Sequence, residues 1–484
     1  MSSRFLADSG AKFGTSGVRG LVTDLTDEVC YAYTQAFIRA VAQGVKHMVI
    51  GHDLRPSSPR ITAACAQAAA DAGIQVTYAG ALPTPALAFL AMTHQAAAVV
   101  VTGSHIPFDR NGLKFYRPDG EISKADEQAM MAADGPRPVV GAPAPLPAPD
   151  ESGADAYIQR YLRFWGSSAL AGMTVAVYEH SSVARDVLRP ILEGLGAQVI
   201  SLGRTDTFVP IDTEAVRPED VAQALKWAGE YRFDAIVSTD GDADRPLIGD
   251  EKGHWLRGDI VGILCAQALG AQVVATPVSS NTAVEQCGSF SEVRRTRIGS
   301  PYVIEAMQQA AQAKPGAAVI GFEANGGFLL GSTVQGVKGA LAPLPTRDAV
   351  LPIVAVLAAA RAKGCPVSAL AGGLPERFTA SDRIQNQPTD QSLALIQRLK
   401  ADAGLQQQLV QHLNASCQRV LGDVRSLNEV DGARWTFANG DIVHLRPSGN
   451  APELRCYAES NTNASALALC QHALEWVRSQ VSLA

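Results

Sequence analysis

Three times along the chain an apolar, largely β-branched run ends in a small polar loop: Ala98-Val-Val-Val-Thr-Gly-Ser-His105, Ala235-Ile-Val-Ser-Thr-Asp-Gly-Asp242 and Ala318-Val-Ile-Gly-Phe-Glu-Ala-Asn325. Short runs without polar alternation are strands buried on both faces, the condition of a mostly parallel sheet covered by helices. Ala- and Leu-rich stretches of helical period lie between them, so strand and helix alternate as an α/β fold requires. Ligands of open α/β sheets sit at the carboxyl ends of strands, so each unit offers one loop to a shared site. A fourth loop is Arg446-Pro-Ser-Gly-Asn-Ala-Pro-Glu-Leu-Arg455.

The pattern predicts strands over 45–50 and 97–102 with helices over 58–73 and 85–95, then an unpatterned Pro/Ala-rich linker over 135–149. A second unit follows, with strands over 174–178, 198–202 and 234–238 and helices over 183–196 and 218–231. A third has strands over 272–275 and 317–321 and helices over 259–269, 300–312 and 348–363. After Pro375 one long helical stretch, 390–413, precedes two or three strands and a closing helix over 463–479, a smaller α+β domain. At about 100–200 residues per domain, 484 residues divide into domains at 1–145, 150–257, 258–374 and 375–484.

A net charge of −6 gives no basic excess, so neither nucleic acid nor an anionic membrane is expected as a partner. The longest apolar run, 350–360, is about half of the ~20 residues that a membrane span needs, and the first residues show no apolar signal core. A soluble, cytoplasmic protein is expected. Eight cysteines without a Cys-x-x-Cys pair read as reduced thiols, not as zinc ligands or a disulfide framework.

Asp240, Asp242 and Asp244 stand at alternate positions after a strand and are closed by Arg245. Three converging carboxylates repel by several kcal/mol unless a cation lies among them, and hard oxygen ligands select magnesium or calcium. A calcium-binding loop would use Asp240, Asp242, Asp244 and Glu251, but Arg245 occupies the position that needs Gly. An aspartyl phosphatase would use Asp240 as nucleophile. Ser104 lies at a strand end beside Gly103, His105 and Lys114, and a serine needs such a base or cation to become nucleophilic. Glu323 and Asn325 suit paired sugar hydroxyls. Arg446, Ser448, Gly449, Asn450 and Arg455 supply the forks and amides that grip a phosphate, and Arg19 lies in a further glycine-rich loop.

The ordered set Phe13-Gly-Thr-Ser-Gly-Val-Arg-Gly20, Thr102-Gly-Ser-His-Ile-Pro107, Asp240-Gly-Asp-Ala-Asp-Arg245, Gly321-Phe-Glu-Ala-Asn325 and Arg446-Pro-Ser-Gly-Asn450 resembles the α-D-phosphohexomutases over residues 12–460. The segments Gly51-His-Asp-Leu-Arg-Pro-Ser-Ser-Pro59 and Phe378-Thr-Ala-Ser-Asp-Arg383 are most similar to the phosphomannomutase branch. Ile106 replaces the Asn common in the serine loop, the sugar loop has no histidine, and Arg297-Ile-Gly-Ser-Pro-Tyr302 is similar to the phosphoglucosamine mutases.

The resemblance implies three related α/β domains with mixed or parallel sheets and a C-terminal α+β domain around a central cleft. It implies a phosphoserine at Ser104, Mg2+ held by that group with Asp240, Asp242 and Asp244, and a hexose 1,6-bisphosphate as activator. Glu323 and Asn325 would contact sugar, and Arg446, Ser448, Gly449, Asn450 and Arg455 would hold phosphate. Arg19, Arg245, Lys114 and His105 would assist, with Lys114 as acid/base or charge stabiliser. The implied reaction interconverts mannose 6-phosphate and mannose 1-phosphate. Phosphoglucomutase or phosphoglucosamine mutase chemistry and a non-catalytic sugar-phosphate-binding protein are the alternatives. The expected partners are small hexose phosphates, and the expected state is a monomer or weak dimer.

Overall fold

The computed structural model describes residues 5–336, 338–448 and 452–481. The first sheet runs in the order Lys12–Phe13, Val18–Leu21, Arg110–Arg117, Ala97–Val101, His47–His52, Gln75–Ala81, with Gly120–Glu121 paired to Arg110–Arg117. Ala97–Val101, buried at every residue, is parallel to His47–His52 and antiparallel to Arg110–Arg117. The second sheet is Pro246–Gly249, Ala235–Thr239, Thr174–Tyr178, Gln198–Leu202, parallel except at its first pair. The third is Glu292–Thr296, Val273–Pro277, Val319–Phe322, Phe328–Leu330, Leu344–Asp348, parallel over its first three strands. The apolar runs that end in polar loops are thus central strands of three mixed sheets.

One continuous core joins the facing sides of these three sheets, from Leu87 and Tyr157 through Val175 and Ile263 to Val354, and their outer faces carry separate cores around Phe37, Ile236 and Met307. The fourth sheet, Phe378–Gln385, Glu453–Ser460, Ile442–Pro447, Ala433–Phe437, Val424–Asn428, is antiparallel throughout and has a separate core around Trp435, Leu399 and Leu474. Its other face is polar and looks onto a cleft of about 1080 Å³, which is also lined by His105 and Arg245.

The C-terminal part departs from the expectation in two ways. The stretch expected as one helix is two, Thr389–Ala401 and Ala403–Cys417. Asp402 breaks it, because its carboxylate accepts from Gly404 N at 2.8 Å and Leu405 N at 3.1 Å and so caps a new helix. The two or three strands expected after the helices are four, and a fifth, Phe378–Gln385, precedes them. That strand hides in the sequence because most of its side chains are solvated. The third sheet likewise holds an unexpected edge strand, Glu292–Thr296, whose charged residues carry no apolar run. Residues 135–149 form neither helix nor strand. Among the described residues no helix is long and apolar enough to cross a membrane, and the eight cysteines are free.

Candidate active site

The serine loop leaves strand Ala97–Val101 and is pinned from beneath. The Asp53 carboxylate accepts from Thr102 Oγ1 at 2.8 Å, Gly103 N at 3.2 Å and Ser58 Oγ at 2.6 Å. Arg55, buried and paired with Asp53 at 3.1 Å, donates to the carbonyls of Ser104 and Arg110 at 3.0 Å, Pro107 at 2.6 Å and Ile106 at 2.5 Å. Phe208, from the second unit, stacks 4.0 Å from that guanidinium. Gly103 is required here, since a Cβ would lie 2.4 Å from Arg55 Cζ. Ser104 itself is buried and left-handed, with φ +54°. A non-glycine residue there is strained by about 1 kcal/mol and persists only where its surroundings over-determine it.

The buried acidic loop follows strand Ala235–Thr239, and oxygens of Asp240, Asp242 and Asp244 lie within 4.8 Å of one another. Ser104 Oγ donates to Asp240 Oδ2 at 2.5 Å. The other oxygen of Asp240 accepts from the amides of Asp244 and Arg245, each at 3.2 Å. Asp242 Oδ2 accepts from Thr84 Oγ1 and Lys114 Nζ, both at 2.6 Å. Asp244 Oδ2 pairs with Lys114 Nζ at 2.5 Å and Arg347 at 2.8 Å. Protein cations therefore already answer part of the repulsion that the three carboxylates would generate alone. Burial, then the charges of Asp242 and Asp244, push the Asp240 carboxyl well above the usual range. Burial would raise Asp244 too, but Arg347, Lys114 and Arg245 outweigh it and hold that carboxyl low.

One oxygen of Asp242 and one of Asp244, both Oδ1, are buried without a hydrogen-bond partner. Asp242 Oδ1 and Asp244 Oδ1, the latter with only Arg245 Nε at 3.6 Å, lie beside a third carboxylate and fit a divalent metal ion, which would satisfy both.

His105 Nδ1 lies 2.8 Å from Arg245 Nη1 and 3.4 Å from Ser104 Oγ. A guanidinium can only donate, so Nδ1 accepts. Burial, then Arg245 and Arg19, hold this imidazole well below its usual value and neutral. Arg19 donates to Thr102 O at 3.0 Å, and burial lowers its guanidinium to about 10. Lys114 touches the Oδ2 atoms of Asp242 and Asp244 and leaves their Oδ1 atoms uncovered.

Glu323 and Asn325 sit on a turn closed by Gly326 at φ +88°. Asn325 Oδ1 accepts from Gly327 N at 2.9 Å, and its carbonyl accepts from Thr213 Oγ1 at 2.7 Å. Glu323 Oε2 lies 3.2 Å from Arg347 Nη1. Neither residue is among those lining the large cleft. In the fourth unit Arg446 Nε lies 3.1 Å from Asp431 Oδ2, and Arg455 Nη2 lies 3.4 Å from Glu453 Oε2. Ser448 is buried and its amide donates to Glu453 O at 2.8 Å. Gly449 and Asn450 lie outside the described residues.

Sequence reasoning passed over Arg347, which touches both Asp244 and Glu323 from strand Leu344–Asp348, a segment with no apolar signal. It also assigned no role to Asp53 and Arg55, although both fall within a quoted motif.

Four sequence families match in order: phosphoglucomutase/phosphomannomutase α/β/α domain I at residues 10–133, domain II at 155–253, domain III at 257–378 and the C-terminal domain at 390–475. A phosphomannomutase of Salmonella muenchen is 45% identical over 98% of this chain and 97% of its own length. A phosphoglucosamine mutase of Gluconacetobacter diazotrophicus is 33% identical over 61% of this chain and 70% of its own. Among solved structures, a phosphoglucomutase/phosphomannomutase family protein of Burkholderia thailandensis superposes with a TM-score of 0.72 at 19% identity, covering 100% of this chain and 98% of that one.

Proposed function

Because the chain belongs to the phosphoglucomutase/phosphomannomutase family of α-D-phosphohexomutases, we propose that it interconverts mannose 6-phosphate and mannose 1-phosphate through a phosphoserine at Ser104. It is an isomerase, and relatives that match it at 45–47% identity over more than nine-tenths of the chain are phosphomannomutases. The observation that carries the mechanism is the Ser104 hydroxyl, held in a strained loop 2.5 Å from an acidic triad.

In the first half-reaction the P–Oγ bond of phospho-Ser104 breaks, a P–O bond forms to the free hydroxyl of the hexose monophosphate, and the proton of that hydroxyl passes, in net, to the released Ser104 Oγ. The product, a hexose 1,6-bisphosphate, reorients and returns its other phosphoryl to Ser104 Oγ. Phosphoryl transfer has little covalent work for a protein to do, so positioning and charge neutralisation dominate. Arg55 and Asp53 fix the serine loop. Arg245 and Arg19 face the transferring group, and neutral His105 keeps the Arg245 fork oriented. Lys114 balances Asp242 and Asp244. Asp240, Asp242, Asp244 and the phosphoserine would hold Mg2+, which when bound supplies further neutralisation of the transferring phosphoryl. Glu323 and Asn325 are the sugar contacts, and Arg446, Ser448, Gly449, Asn450 and Arg455 hold the phosphate that does not react. The division at residues 145, 257 and 374, a cytoplasmic location, and a monomer or weak dimer acting on small hexose phosphates belong to the same reading.

The test is turnover of mannose 1-phosphate, glucose 1-phosphate and glucosamine 6-phosphate side by side, with Mg2+ and a hexose 1,6-bisphosphate. Mannose 6-phosphate is expected as the fastest-formed product. Release of inorganic phosphate without isomer would make the protein a hydrolase, and a higher kcat/KM for a glucose or glucosamine phosphate would reassign the sugar.

A further inference from the structure

The open face of the fourth sheet carries a row of like charges. Phe378–Gln385 and Ile442–Pro447 flank Glu453–Ser460 on either side, and the register sets Arg383 directly opposite Arg455 and Arg455 directly opposite Arg446. Directly opposed residues of antiparallel strands share a face, with Cβ atoms about 5 Å apart. Three guanidiniums therefore stand abreast over roughly 10 Å, an arrangement that is destabilising unless anions lie among them.

The protein's own anions answer it unevenly: Arg455 also feels the buried Glu214 carboxylate and bonds to Tyr457, whereas among the described residues the one ion pair of Arg383 is with Glu453. Glu453 is shared, 3.4 Å from Arg383 Nε and 3.4 Å from Arg455 Nη2, both longer than the ~2.8 Å of a good charge-assisted bond. Asp431 Oδ2 is divided between Arg446 Nε at 3.1 Å and the Ile298 amide at 3.0 Å. The Nε atoms of Arg446 and Arg455 are buried without a hydrogen-bond partner in line. Arg383 and Arg455 both line the cleft that His105 and Arg245 enter from the other side.

We propose that Arg383 is the third guanidinium of the substrate-phosphate site, so that strand Phe378–Gln385 as well as the loop after Arg446 holds the non-reacting phosphate. This rests on the mutase reading of the cleft. A phosphate dianion has three terminal oxygens, and three forks side by side can engage all of them, with Glu453 giving up Arg383 and Arg455 when the phosphate arrives. The side chain of Arg383 is half exposed, so its loss leaves the sheet's core untouched.

The experiment uses the full chain with Arg383→Gln and Arg383→Lys, measured in two ways: titration with inorganic phosphate by calorimetry, and steady-state kinetics with mannose 1-phosphate. A contact made equally in ground and transition states appears in KM. Arg383→Gln is expected to weaken phosphate binding and raise KM about tenfold with kcat within about twofold, and Arg383→Lys to recover part of both. Phosphate affinity and KM both within about twofold of wild type in Arg383→Gln would reduce Arg383 to a surface partner of Glu453 and overturn the proposal. A wild-type protein that isomerises no hexose phosphate would instead sink the mutase reading, while the phosphate titration still decides the role of Arg383.

Discussion

Ser104 Oγ donates to Asp240 Oδ2 over 2.5 Å, joining residues 136 apart in sequence at the ends of strands in two different sheets. This bond needs the hydroxyl proton, so it cannot survive esterification of Oγ. A phosphoryl group placed there brings a dianion against three buried carboxylates, a repulsion that Lys114 and Arg245 offset only in part. A phosphoserine at this position and a metal ion among the three carboxylates would therefore stabilise each other, the ion supplying positive charge that the phosphorylated loop lacks.

Incubation with a hexose 1,6-bisphosphate and Mg2+ should add about 80 Da to the peptide containing Ser104, and Ser104→Ala should lower turnover by more than about 10³-fold. Mass spectrometry finding the phosphoryl on Asp240 would move the chemistry to a phosphatase.

The parts of this site that were legible in the sequence are those that follow buried strands. Ala97–Val101 and Ala235–Thr239 are buried at every residue, so their apolar runs announce both the strand and the loop after it, with Ser104 and the three aspartates. Arg347 and Arg383 gave no such signal. Both sit on strands with polar faces, and what makes them matter is a partner far away in sequence: Asp244 for one, Arg455 across the sheet for the other. The acidic loop needs positive charge, as its three carboxylates imply, but the protein supplies much of it through Lys114, which reaches Asp242 from 128 residues away and so leaves no local trace in the sequence. The broken helix at Asp402 was local, and its carboxylate cap was readable, but the apolar periodicity on either side masked it.

Lys114 gives the second test. It pairs with both Asp242 and Asp244 in a buried setting, and removing one partner of such an ion pair typically destabilises by about 3–5 kcal/mol, since it strands the other charge. Lys114→Met should therefore unfold at lower temperature than wild type in chelator and regain more stability when Mg2+ is added, because the ion replaces the lost charge. Calorimetry with equal Mg2+ responses in both proteins would mean that Lys114 and the ion do not share these carboxylates.

Acid should weaken the fourth domain through His444. Burial lowers this imidazole to about 4, while Nε2, 2.5 Å from Asp431 O, donates and Nδ1 is buried without a partner. An unfolded chain binds the proton near pH 6.5, so between about 6.5 and 4 the unfolded state holds more protons than the folded one. Stability is then full above pH 6.5 and falls as pH drops toward 4, by roughly 2–3 kcal/mol from this group alone. Urea unfolding at pH 7 and pH 4.5 should show His444→Gln losing less stability on acidification than wild type. Equal losses would place the sensitivity elsewhere.

The fourth domain also decides how binding relates to closure. Its core around Trp435 and Leu474 is separate from the one that unites the other three sheets, and the contacts across are polar, Thr282 to Glu459 and Ile298 to Asp431; were it to shift as a body, Arg455 and Arg446 would carry the substrate phosphate with it. If the phosphate is gripped equally in ground and transition states, Arg446→Ala and Arg455→Ala should each raise KM by about ten- to a hundredfold, the worth of a charge-assisted contact, with kcat nearly unchanged. If the grip also pulls the cleft shut over Ser104, kcat should fall too, because an open cleft lets water compete for the phosphoryl group. Phosphate release during turnover separates the two: it should rise in the arginine variants only when closure depends on them. Variants with wild-type KM, kcat and phosphate release would mean that Arg446 and Arg455 serve only Asp431 and Glu453, and that substrate phosphate is held elsewhere in the cleft.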